Sequence, residues 1–131
     1  MTTSKDVTPE VDLAVRRLLA RYCHLVDDHD YDAAAALFTD DGRFRLADHD
    51  LKGQAAIRSW MDTIPPSLFH QVSNVVVSNA SRPDTYHAVS DVMAAAKADG
   101  RWTISFLGRY HDTLSGDGRD MKFTQRIVTA R

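Results

Sequence analysis

The chain carries a single cysteine, Cys23, among its 131 residues, so no internal disulfide can form. Its place among apolar helical neighbours suits a small core filler better than a reactive thiol. Glutamate is nearly absent, with 1 against 17 aspartates, and lysine is scarce, with 4 against 12 arginines. We read both skews as the coding bias of a GC-rich genome. They also dilute the weight of any one aspartate as a functional group. There is no basic excess: the net charge is -2 and the pI is near 6.3. That leaves no electrostatic footprint for nucleic acid. No stretch approaches the ~18 apolar residues of a membrane span. The polar opening, Met1 to Val7, lacks the apolar centre of a signal peptide. The expectation is a cytoplasmic protein with neither a membrane nor a nucleic-acid partner.

Several motifs are missing too. There is no Gly-x-Gly-x-x-Gly, no phosphate-binding loop and no Gly-x-Ser-x-Gly. The six histidines show no His-x-x-x-His spacing, and a metal would need three convergent ligands. No cofactor and no metal are expected.

What is present is enough apolar residue, 44%, for one real core. Residues 1–8 read as a flexible lead-in and 9–131 as one domain. Thr8-Pro9-Glu10 is a helix start, with a hydroxyl cap, an early proline and an acid at the positive end. Val11, Val15, Leu18, Leu19, Tyr22, Leu25 and Val26 then recur with helical period, predicting a helix from Pro9 to about Val26. Asp30 can cap a second helix, Tyr31 to Phe38. Thr39 to Gly42 reads as a turn, Arg43 to Ala47 as a short strand, and Asp48-His49-Asp50 as a polar loop. A third helix is expected from Gln54 to about Thr63, stopped by Pro65-Pro66.

The remainder is strand-like: Phe69 to Val77, Tyr86 to Ala98, Arg101 to Leu114 and Met121 to Ala130, separated by turn-rich breaks. Helices followed by a meander of strands define an α+β fold. A sheet of about four strands, with three helices on one face, encloses a cone-shaped cavity if it curls. Gly108, inside a long strand, could place that curl.

In that order, several segments resemble the SnoaL-like branch of the nuclear transport factor 2-like superfamily. They are Leu18 to Tyr22, Asp27 to Thr39, Gly53 with Ala56-Ile57, His70 with Asn74, and Gly108-Arg109-Tyr110 with Asp112. That group includes polyketide cyclases, ketosteroid isomerases, scytalone dehydratase, bile-acid 7α-dehydratase and a dehydrochlorinase. The resemblance implies a cystatin-like α+β barrel: a curved mixed or antiparallel sheet of four to six strands wrapped around three helices, with an internal pocket. It also implies a homodimer or higher homo-oligomer paired through its sheets.

The same resemblance matches Asp27 and His70 to the aspartate–histidine pair of the dehydratase relatives. A histidine titrates near ~6.5 and can take a proton at neutral pH, while a carboxylate fixes its tautomer. On an ideal wheel, however, the apolar stripe centres near Tyr22 and Asp27 lies about 140° away. The pairing therefore asks the first helix to end or bend near Leu25 or Val26. Tyr22 matches a tyrosine that polarises substrate in the bile-acid dehydratase branch, and it equally suits a core aromatic with a bonded hydroxyl. Asn74 shares a strand face with His70, either toward the pocket or in a structural hydrogen bond.

The wall candidates are Phe38, Phe44, Trp60, Phe69, Met93, Phe106 and Tyr110, which core packing would also explain. Where scytalone dehydratase brings a second histidine, this chain has Met93 to Ala96. Arg126 on the last strand could meet an anionic substrate group, but an edge or surface position is the expectation.

The expected activity is a cofactor-independent lyase or isomerase acting on a small hydrophobic molecule such as a polyketide, steroid or terpenoid. Two other functions fit the same residues: a small-molecule binder without turnover, and a structural subunit of a larger enzyme.

Overall fold

The computed structural model describes residues 6–131. Most of the expected lead-in, 1–5, lies outside the described residues, and Thr8 belongs to the first helix as its cap. Helix α1 runs Pro9–Asp27, and the Thr8 hydroxyl accepts the Val11 amide at 3.3 Å. It buries Val11, Val15, Leu18, Leu19, Tyr22, Cys23 and Val26.

Helix α2 is only Tyr31–Ala35, started by Asp30, whose carboxylate accepts the Ala33 amide. It stops three residues before the expected end because Phe38 already opens strand β1, Phe38–Leu46. The predicted turn Thr39 to Gly42 is an irregular stretch inside this strand. There the register shifts between Phe38 and Arg43. The predicted polar loop at Asp48 to Asp50 also needs correction. His49–Lys52 forms strand β2, hairpinned onto β1 with Arg43 opposite Lys52 and Leu46 opposite His49. Two arginines and an aspartate hid that hairpin: Arg43 binds Asp50 through two bonds of 2.7 and 2.6 Å on an exposed face.

Helix α3, Gln54–Met61, packs Ile57 and Met61 wholly inside. Strands β3 (Leu68–Asn79), β4 (Thr85–Ala98), β5 (Arg101–Ser115) and β6 (Lys122–Ala130) follow. The sheet order is β2-β1-β6-β5-β4-β3, and only the β1–β6 pair is parallel. The fold is therefore α+β with a six-stranded mixed sheet that stays open, since β2 and β3 are free edges and no barrel closes.

Bulges interrupt the β3–β4, β4–β5 and β5–β6 ladders, and each bends its strand. In β5 the bulge falls beside Ala94 and Ala95, not at Gly108. Gly108 serves close packing instead: a Cβ there would sit 2.5 Å from the Thr129 carbonyl and 2.6 Å from the Phe106 ring.

The inner sheet face and the three helices enclose the core. At its centre Phe38 packs on Phe123 (5.0 Å between centroids), with Tyr22 and Phe44 edge-on to it. Burying one such ring stabilises by about 1.5–3 kcal/mol. Among the described residues no helix is long and apolar enough to cross a membrane.

Candidate active site

Asp27 is the last residue of α1, so the helix continues past Leu25 and Val26 instead of stopping there. The side chain meets His70 for another reason. Burial of Cys23 extends the covered arc of α1 toward β3, and on a regular helix Asp27 lies only about 40° beyond Cys23. Leu19, Cys23 and Asp27, spaced by four, follow one another along this flank. Strand β3 runs beside it, held by Arg16, which donates to the Val75 carbonyl at 3.0 Å.

The Asp27 carboxylate then takes His70 at two points. Its Oδ2 accepts the His70 backbone N–H at 2.9 Å, and its Oδ1 lies 2.6 Å from Nδ1. Both side chains are about five-sixths covered, at 16% and 15% exposure. A carboxylate at that distance can only accept, so Nδ1 carries the hydrogen, and in the neutral ring Nε2 then holds the lone pair.

His70 stands between two spaces. On one side is an open groove along α1 that also touches Asp27, Cys23 and His24. On the other is a cavity of about 250 Å³ inside the sheet, lined by Tyr22, Phe44, Trp60, Phe106 and Tyr110 among others. The residues of its wall that carry a polar side-chain group are His70, Tyr22, Tyr110, Trp60, Thr63 and Ser105; the rest of the wall is apolar. The segment after α3 closes part of it with Ile64 and Pro65. His29 steadies that segment, its Nε2 bonding the Pro66 carbonyl at 2.7 Å.

Six expected site residues therefore line one cavity: Tyr22, Phe44, Trp60, His70, Phe106 and Tyr110. Asp27 stands behind His70, outside the cavity wall. Phe38 is core, fully buried behind Tyr22 and Phe44.

Three assignments are corrected. Phe69 is half exposed on the outer sheet face, against Trp102 at 6.5 Å. Met93 also faces outward, because its neighbours Val92 and Ala94 take the inward positions and successive strand residues alternate. Asn74 leaves the His70 face at a bulge. Its φ is 55°, and its amide donates to Asp91 Oδ2 at 2.8 Å. The alternation that placed it beside His70 breaks between Ser73 and Val76.

Arg126 needs the largest correction. It is fully buried, not at an edge, and donates to Asp112 through two bonds of 2.7 and 3.0 Å. Its guanidinium lies 3.6 Å from the Tyr110 ring centre, 4.4 Å from Phe123 and 4.5 Å from Tyr22. The signal was in the strand phase. Arg126 alternates with buried Val128, Asp112 with buried Tyr110 and Leu114, and the two pair directly across β5 and β6.

Burial raises the Asp112 pKa despite the arginine beside it. Burial alone would lower that of Arg126, but Asp112, together with Tyr110 and Tyr22, raises it above the usual value. Burial pushes the Tyr22 phenol up to about 12, with Arg126 offsetting part of the rise, so Tyr22 is a proton donor across the ordinary pH range. The Cys23 thiol is pushed up to about 11, again by burial first, which makes it a poor nucleophile. Among the described residues no three His, Cys, Asp or Glu side chains converge as metal ligands.

The sequence that builds this fold has a counterpart in a family. Residues 9–127 match the SnoaL-like domain, and the chain belongs to that family. Solved structures agree. Aln2 from a Streptomyces species is 22% identical with a TM-score of 0.85, over 96% of this chain and 94% of that one. An NTF2-like protein with a cystatin-like fold from Novosphingobium aromaticivorans is 21% identical with a TM-score of 0.82, over 92% of this chain and 82% of that one. A candidate scytalone dehydratase from the same species is 20% identical with a TM-score of 0.79, over 95% and 89%. At these identities the likeness shows the fold alone. No curated protein matches the sequence.

Proposed function

We propose that this protein is a cofactor-independent lyase or isomerase that moves a proton on a small hydrophobic carbonyl compound. The observation that carries the reading is the Asp27–His70 pair, 2.6 Å apart, with the imidazole lining an apolar cavity. His70 Nε2 removes a proton from the carbon next to the carbonyl. Asp27 accepts from Nδ1 and stabilises the imidazolium that forms. Tyr22, protonated and lining the same cavity, donates a hydrogen bond to the oxygen that gains charge. The imidazolium then returns the proton, either to the γ carbon of the conjugated dienolate formed from a β,γ-unsaturated ketone (isomerisation) or to a hydroxyl leaving from the β carbon of a β-hydroxyketone, which departs as water (dehydration).

Cavity size bears on the substrate. A volume of about 250 Å³ exceeds the ~150 Å³ that holds a benzene ring. It falls below the ~300 Å³ at which drug-sized pockets begin. That favours a one- or two-ring ketone or terpenoid over a four-ring steroid.

A second reading is binding without turnover. It is favoured by the Oδ2 bond to the His70 backbone, which lets Asp27 act as a structural staple. One experiment separates the two. Small cyclic ketones and β-hydroxyketones are incubated with the protein in heavy water, and deuterium entry at the α carbon and alkene formation are followed by NMR. Exchange or elimination that drops by orders of magnitude in both His70→Ala and Asp27→Asn supports the enzyme. Turnover undiminished in both variants refutes this mechanism.

A further inference from the structure

On the flank of α1 turned away from β3, a groove of about 610 Å³ runs between the helix and the β5–β6 connection. It shares no residue with the cavity or with the Asp27–His70 side of the helix. Arg17 and Arg21 stand one turn apart on the helix wall, and Arg119 and Lys122 line the opposite side. None of these four is ion-paired among the described residues. By contrast Arg16, Arg43, Arg58, Arg109, Arg126 and Arg131 each hold a carboxylate. Only Glu10 and Asp120 line the groove as acids, so it is a positive site on a chain of net charge -2.

Beneath the charges the floor is apolar: Ala14, Leu18, Leu37 and Met121, with Leu13 on the rim at 49% exposure. The wall carrying Arg119 is preformed. Asp117 accepts the backbone N–H groups of Arg119 and Asp120 at 2.8 and 3.0 Å, and Gly118 approaches Glu10 so closely that a Cβ would touch it at 3.4 Å.

We propose that this groove docks an acidic amphipathic segment of a partner protein, carboxylates to the basic walls and apolar side chains to the floor. Three features select that occupant. The four cations are exposed and spread along the groove, so they suit charge distributed over a segment. A single small anion held by exposed arginines would be screened by salt. The groove is concave, which a flat lipid surface does not fill. No aromatic residue lines it, so it lacks the stacking platform that single-stranded nucleic acid uses. The exposed Leu13 has no role in a purely ionic site but would be covered by a partner's apolar face.

The test uses the full chain, labelled with nitrogen-15, and a synthetic helical peptide with leucines along one face and glutamates along the other. Expected are chemical-shift changes confined to residues 10–21 and 118–122, with affinity falling as salt rises. The double variant Arg17→Glu/Arg21→Glu should weaken binding by about tenfold or more while leaving the amide spectrum of the cavity residues unchanged. The proposal is overturned by any of four results: no peptide binding, shifts elsewhere on the chain, unchanged affinity in the variant, or tighter binding at the same residues by inorganic pyrophosphate, phosphatidylglycerol vesicles or single-stranded RNA. Retention of binding by a leucine-to-serine version of the peptide would also overturn it, because the apolar floor would then be idle.

Discussion

The Asp27 carboxylate holds His70 with both oxygens, one on the backbone N–H at 2.9 Å and one on Nδ1 at 2.6 Å. The first bond fixes where the strand passes the helix and the second fixes how the ring is turned. One side chain thus sets both the position and the tautomer of the histidine, and it leaves Nε2 as the nitrogen free for chemistry.

Asp27→Asn keeps the shape and removes the carboxylate. An amide can offer its oxygen to only one of the two donors, so the Nδ1–H tautomer loses its fixed partner. Nitrogen-15 NMR of the imidazole should show a single Nδ1–H form in the parent and a mixture in the variant. Stability should fall by about 1–3 kcal/mol in urea titrations, the cost of a buried group left without its partner. An unchanged tautomer would remove Asp27 from any role in setting up the base.

How far the sequence foretold this site follows from the period of each element. Tyr22 and the core of α1 were legible because apolar residues repeat with helical spacing: six of the seven so read are buried, and Leu25 is partly buried. The Asp27–His70 pair followed from resemblance, and the wheel argued against it because it centred the stripe on Tyr22 and gave Cys23 no weight. Phe44, Trp60, Phe106 and Tyr110 lie on the cavity wall. Met93 and Phe69 failed on strand phase, and Asn74 failed because a bulge resets alternation where no glycine or proline announces it. Strand β2 was hidden because three of its four residues are polar, Leu51 being the exception, and its partner supplies the pairing.

The Asp112–Arg126 pair has both side chains at 0% exposure. Removing one partner strands the other, so Arg126→Met should cost about 3–5 kcal/mol in chemical denaturation. The double replacement Arg126→Met with Asp112→Leu should recover most of that loss, since two apolar groups leave nothing unpaired. A double variant as unstable as the single one would mean that stacking on Tyr22, Tyr110 and Phe123 stabilises the site more than the pairing does.

The outer sheet face leaves Phe69, Val76, Trp102, Ile104 and Leu107 about half exposed or more. These residues form apolar patches on β3 to β5, divided by the Asn74–Asp91–Arg109 cluster, and burying them is what we propose a homodimer or higher homo-oligomer does. Light scattering should give twice the chain mass for the parent and a monomer for Ile104→Glu, whose charge would have to be buried at such an interface. A parent that stays monomeric at high concentration would sink the dimer.

Alkaline stability gives a test of the phenol in the cavity wall. Tyr22 has a folded pKa of about 12 against an ordinary 10.0. The folded state therefore keeps a proton that the unfolded chain gives up. This contribution is fully present below pH 10 and is lost as pH rises toward 12. At pH about 11 the loss from this one group is on the order of 1.4 kcal/mol. Between pH 8 and pH about 11 the parent should therefore lose more stability than Tyr22→Phe, by at least that amount, when urea midpoints are compared. Tyr110 is raised by burial first and in part by Tyr22 itself, so its rise shrinks in Tyr22→Phe and the difference between the two proteins widens in the same direction. Equal losses in the two proteins would mean that the Tyr22 hydroxyl ionises as freely as in water, and a phenol so well solvated could not serve as the buried hydrogen-bond donor the mechanism needs.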